Sequence, residues 1–204
     1  MIAVAVAPSS KATAQDGKRP RVIFFDTFPI ADKLRPDDEV VVVEMRADEV
    51  VTDETLSGFK ALQAAARRRT AVVATIDVSD VRGELAMNGA WVHTVFRGTV
   101  AQVHRVGSVA GRRRRVERGE RIEFHISGGE ATIRHVLVRA DQTVPFPTAR
   151  QYVVFLSEME TEHGWSLVDT VPLLIEGDKL VAVAPATSPM SGVTLSDLRR
   201  AVRR

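Results

Sequence analysis

Apolar and polar residues alternate with a period of two through most of the second half of this chain and with a helical period in only two places. The sharpest alternation flanks Gly128-Gly129, in RIEFHIS (121–127) and ATIRHVL (131–137). Two glycines can take the positive φ angles of a two-residue hairpin turn. In that register Phe124 faces Ile133, Ile126 faces Ala131 and Ile122 faces His135 on one side. Glu123 faces Arg134 and His125 faces Thr132 on the other, an arrangement that sorts apolar from charged residues. The pattern predicts an antiparallel hairpin with one buried face.

Further strands are predicted along the chain. RVIFF (21–25) and DEVVVVEMRA (38–47) are apolar and β-branched, as is TAVVATIDVSDV (70–81). GAWVHTVFRGTVAQVHRV (89–106) is a long extended segment in which Gly98 breaks the alternation, the mark of a bulge or bend. After a Pro-punctuated loop at 141–151 come YVVFLSEM (152–159), GWSLVDTV (164–171) and KLVAVAP (179–185). The helical period occurs first at Leu56, Phe59, Leu62 and Ala66, behind a Thr52 cap and ahead of Arg67-Arg68-Arg69. It returns at Leu195, Leu198 and Val202, where Thr194 and Asp197 form a capping-box pattern. The predicted fold class is mainly β with flanking helices. Residues 70–185 form a single antiparallel barrel of about six strands, with one helix before it and a short helix after it.

Composition adds location and charge. With 204 residues, 45% hydrophobic and 26% charged, the chain suits one globular domain over 21–204. No apolar run approaches the roughly 18 residues of a membrane-spanning helix, so it is not read as an integral membrane protein. The absence of cysteine removes disulfides, thiolate metal sites and cysteine nucleophiles together. Residues 1–20 read as a flexible leader or a truncated signal peptide: MIAVAVA is apolar, and Ala12-Thr13-Ala14 resembles a small-residue cleavage site. The second alternative implies a periplasmic or extracellular protein, the first a cytoplasmic one.

The net charge is only +2, but GRRRRVERGER (111–121) carries +4 and RRAVRR (199–204) another +4. Basicity is thus confined to two spots, which can bind polyanions or remain solvated.

The segments AVVATIDVSDVRGEL (71–85), WVHTVFRGTVAQVHRV (91–106), ISGGE (126–130) and QYVVFLS (151–157) resemble a group of uncharacterised, usually exported bacterial proteins. These have one small antiparallel barrel of OB-like or netrin-module-like type. The resemblance covers about residues 51–185 and implies that barrel and export; it implies no activity. The extra segment at 20–50 and the lysine-free run Arg112–Arg115 depart from the group's pattern.

No pattern specifies catalysis, a metal or a cofactor. There is no G-x-S-x-G elbow, no Walker A loop and no H-E-x-x-H. His93, His125 and His135 fall on predicted strands as ordinary histidines, with Asp77 and Asp80 as conceivable co-ligands. Two functions follow. The first is a non-enzymatic, exported binding module whose partner is an unknown protein or envelope component. The alternative is an OB-like nucleic-acid binder that uses Arg112, Arg113, Arg114 and Arg115, with Trp91 and Phe96 as the only stacking candidates.

Overall fold

The structure, a computed structural model, describes residues 20–24, 29–44, 57–67, 72–86, 89–106, 116–140, 144–158, 165–167, 172–183 and 188–203. Its first elements are β1 (Arg21–Phe24), α1 (Ile30–Lys33), β2 (Val40–Glu44) and α2 (Gly58–Arg67). Two long strands follow, β3 (Val72–Ala86) and β4 (Trp91–Val106), then β5 (Arg121–Ser127), β6 (Glu130–Ile133) and β7 (Val136–Ala140). The chain continues through β8 (Arg150–Glu158), β9 (Trp165–Leu167), β10 (Leu173–Glu176) and β11 (Lys179–Ala182) to α3 (Leu195–Val202). The mainly β class with flanking helices is therefore correct. No described helix is long and apolar enough to cross a membrane. Residues 1–19 of the leader, the Thr52 cap and Arg112–Arg115 lie outside the described residues.

The single barrel does not form. The strands divide between a four-stranded sheet, ordered β1-β2-β7-β6, and a seven-stranded one, ordered β11-β10-β8-β3-β4-β5-β9. The smaller sheet is not antiparallel throughout, since β2 runs parallel to both β1 and β7. The larger sheet curls until three-residue β9 touches both β5 and β8.

The predicted hairpin across Gly128-Gly129 is the source of the error. β5 pairs with β4, placing Phe124 opposite Phe96 and Glu123 opposite Arg97. β6 pairs with β7 around Arg134-His135, with Ile133 opposite Val136, so the segment read as one strand over 131–140 is itself a hairpin. Arg134 takes the positive φ, 58°, that its turn requires. Alternation could not distinguish these pairings, because either register puts the same apolar set on one face.

Gly128-Gly129 instead carries the chain from one sheet to the other. Gly128 N–H donates to Val92 O (2.9 Å), Thr94 Oγ1 donates to Gly128 O (2.8 Å), and Ala140 N–H donates to Gly129 O (2.8 Å). A Cβ at Gly129 would overlap Thr94 Oγ1, and one at Gly83 of β3 would overlap the Glu130 carbonyl oxygen. The sheets meet where backbone touches backbone.

The central strands are buried on both faces, which explains their unbroken apolar runs. Tyr152, Val154 and Leu156 of β8 join Val72, Ala74 and Ile76 of β3 and Phe96 and Phe124 in one core. Val153, Phe155 and Val73 point the other way, into a core covered by α2 and α3. Leu62 and Ala66 of α2 and Leu198 of α3 are buried there, as the helical stripes predict. The α3 capping box is also formed, with Asp197 N–H donating to Thr194 Oγ1. A third core holds the smaller sheet, α1 and the start of β4. Gly98 sits opposite Val78 and against the Asp77 carbonyl, and the register shifts between Val78 and Asp80, so the expected bulge lies at this level.

Arg21 anchors the first strand. Its Nε and Nη2 donate to both carboxylate oxygens of Asp38 (3.0 and 2.6 Å), and Nη2 also reaches Lys33 O at the end of α1. The Arg21 hydrogen bond, with a further one from Arg35 N–H, lowers the Asp38 carboxyl to about 2.

Two predictions follow from this architecture. Gly83→Ala should lower stability by about 2–3 kcal/mol, because the Glu130 backbone cannot yield. Gly119→Ala, at φ 86° but in open space, should cost about 1 kcal/mol. Urea midpoints at constant slope measure the difference. Because the folded Asp38 pKa is depressed, its contribution is full above about pH 4 and is lost as pH falls toward 2. Asp38→Asn should therefore flatten the acid limb of a circular-dichroism titration over that window.

Candidate functional site: a cleft between the sheets

Where the two sheets meet, they leave an open cleft of about 590 Å³. One wall is Val81, Arg82 and Gly83 of β3, the other Glu130 of β6 and Arg139 of β7, with Thr94 and Gly129 between them. The third side is Val144-Pro145-Phe146 from the Pro-punctuated loop. That loop is fixed from below: Phe146 is buried edge-on against Phe96, with centroids 5.0 Å apart, and Tyr152 Oη donates to Pro147 O at 2.7 Å. Burial pushes the Tyr152 phenol up to about 12, so it stays a neutral donor at any physiological pH.

Two guanidinium groups flank the opening. Arg82 pairs with Glu84 at 2.5 Å and Arg139 with Glu130 at 2.8 Å, and all four side chains are about half exposed. These ion pairs hold the side chains in place more than they stabilise the fold. A guanidinium carries more N–H donors than one carboxylate contact uses, so such a pair can still meet a ligand. Beside them the Val81, Val144, Pro145 and Phe146 surface offers apolar contact. The combination suits a ligand with an apolar body and a polar or anionic end.

The residues singled out from sequence are distributed differently. Arg112–Arg115 lies outside the described residues, and Val116, which follows the run, is buried in the main core. Trp91 and Phe96 are buried, Phe96 stacked on Phe124 at 4.7 Å, and neither offers a face for a base. His125 and His135 lie in different places, His135 in the β6–β7 turn with Nε2 3.3 Å from Pro36 O. His93 and His125 are brought together instead, ring centroids 6.2 Å apart, on adjacent strands β4 and β5. That juxtaposition was illegible without the β4–β5 pairing.

Glu123 lies 3.3 Å from His125 and accepts from Arg97 Nε at 2.6 Å. Partial burial opposes its ionisation, but Arg97 outweighs burial and holds the carboxyl below its usual range. Asp77 accepts from Gln151 Nε2 at 2.7 Å rather than turning toward a histidine. Among the described residues no three His, Asp or Glu side chains are placed to share a metal ion.

The chain matches no known family model and no curated protein.

The cleft floor depends on one hydroxyl. Thr94→Val should cost about 2 kcal/mol, because it keeps the shape but leaves the buried Gly128 carbonyl without its donor. Thr94→Ser should recover most of that loss in the same denaturation assay.

Proposed function

We propose that this protein is a non-enzymatic binding module and that the cleft between its sheets receives a segment of a partner protein or envelope component. The observation that carries the reading is the cleft itself. Its floor is tied by backbone and Thr94 hydrogen bonds, and its rim presents two positioned guanidinium groups beside an apolar wall. Such a surface recognises a ligand without reorganising, the condition under which modest contact area yields useful affinity. The lining residues are arginine, glutamate, threonine, glycine and apolar side chains, with no nucleophile set against a base. Export, read from residues 1–14, belongs to the same proposal and is supported by their composition alone.

A photo-crosslinking amino acid at Val144 tests the reading in cells. Crosslinks should concentrate on one segment of one partner, fall at least about tenfold when Arg139→Glu is added, and leave the partner's mass otherwise unchanged. Equal labelling from Gly119, on another surface loop, would remove the cleft from consideration. Chemical conversion of the partner would make the protein an enzyme.

A further inference from the structure

The second basic spot of the sequence acquires a definite geometry in α3. Ser196, Arg199, Arg200 and Arg203 recur at i, i+3, i+4 and i+7 and so share one helix face, where they line a shallow cavity of about 380 Å³. The opposite face, with Leu195, Leu198, Ala201 and Val202, packs into the core under the helices.

Arg200 is fixed. Its Nη2 donates to Asp197 Oδ1 at 2.7 Å, and its guanidinium carbon lies 4.2 Å from the centroid of the Phe59 ring. Asp197 is thereby fully used, since its other oxygen accepts from the Thr194 backbone and hydroxyl. Arg199 and Arg203 are exposed, and among the described residues no carboxylate pairs with either.

The helix dipole favours cations in the last turn but is indifferent to the direction in which they point. A one-sided row is a different matter, because like charges four residues apart repel and destabilise a helix by a few tenths of a kcal/mol. An anionic partner turns that repulsion into attraction.

We propose that this arginine face docks on the phosphate backbone of a nucleic-acid duplex. The residue type fits: guanidinium forks match phosphate oxygens and remain charged at any physiological pH. The spacing fits as well. Arg199 and Arg203 are about 6 Å apart along the helix axis, and a duplex strand carries a charge every 3.4 Å or so, so two flexible side chains reach neighbouring phosphates. Duplex is favoured over single strands because the aromatic ring at the site, Phe59, is partly buried and capped by Arg200, which leaves no stacking platform there among the described residues. It is favoured over an anionic membrane because every apolar residue of α3 faces the core and none is left on this face to insert. The surface is separate from the cleft and does not depend on what the cleft binds.

Fluorescence anisotropy of the full chain with a labelled 20-base-pair duplex tests this, with phosphatidylserine-containing vesicles as the second probe. The parent should bind the duplex with strong salt dependence. Arg199→Ser with Arg203→Ser should weaken binding at least about tenfold at low salt and reduce the log–log salt slope by about two units. Both side chains are exposed, so the thermal midpoint should not move, while Arg199→Lys with Arg203→Lys should keep most of the slope. Replacing Arg112–Arg115 by Ser should leave the difference between parent and double variant intact. Absence of duplex binding by the parent, or an unchanged slope in the double variant, would overturn the proposal. So would tighter binding to vesicles than to the duplex.

Discussion

The contact on which the rest of the molecule depends is the one between Gly128-Gly129 and the strands it crosses. At that point β5 has finished pairing with β4, and β6 begins a different sheet with β7. The crossing needs its polar groups satisfied away from water, and Val92, Thr94 and Ala140 supply those bonds. It also needs space that side chains would fill. Gly129 provides it against Thr94, and Gly83 provides it against Glu130. One crossing thus sets the boundary between the sheets and the width of the cleft.

Away from that boundary, stability comes from burial on both sides of the central strands. Tyr152 through Leu156 are all buried, alternating between a core enclosed by the curled sheet and one roofed by α2 and α3. A sheet covered on both faces does not need the clean polar face of a simple hairpin. The helices serve this burial and, in doing so, turn the charged side of α3 outward. The cleft and the arginine face are therefore consequences of packing: one lies where two sheets cannot fill the gap, the other where an amphipathic helix must show its polar side.

Much of the local structure is determined by the sequence alone. The α3 capping box follows from Thr194 and Asp197 three residues apart, and its buried face from Leu195, Leu198 and Val202. The long β3 and β4 strands, the bulge opposite Gly98 and the buried run of β8 follow from β-branched content, a misplaced glycine and unbroken hydrophobicity. These features depend on neighbours in the chain, so periodicity and propensity reach them. The four-residue α1 and β10 escaped notice because elements so short carry too few residues for a period to register.

Only the tertiary structure decided which strands pair. Ile122, Phe124 and Ile126 satisfy a hairpin with residues 131–135 as well as they satisfy pairing with β4, because alternation records which face is buried and not what lies alongside. Phe96, opposite Phe124 and about 30 residues upstream, wins that competition through a stacked aromatic pair that no local pattern announces. The candidate sites inherit the same limit. The meeting of His93 with His125, and of Arg82 with Arg139 across the cleft, depends on strand partners distant in sequence. The arginine face of α3 was half legible: its charge is written in the last six residues, but that Arg199 and Arg203 have no carboxylate partner among the described residues depends on what folds beside them.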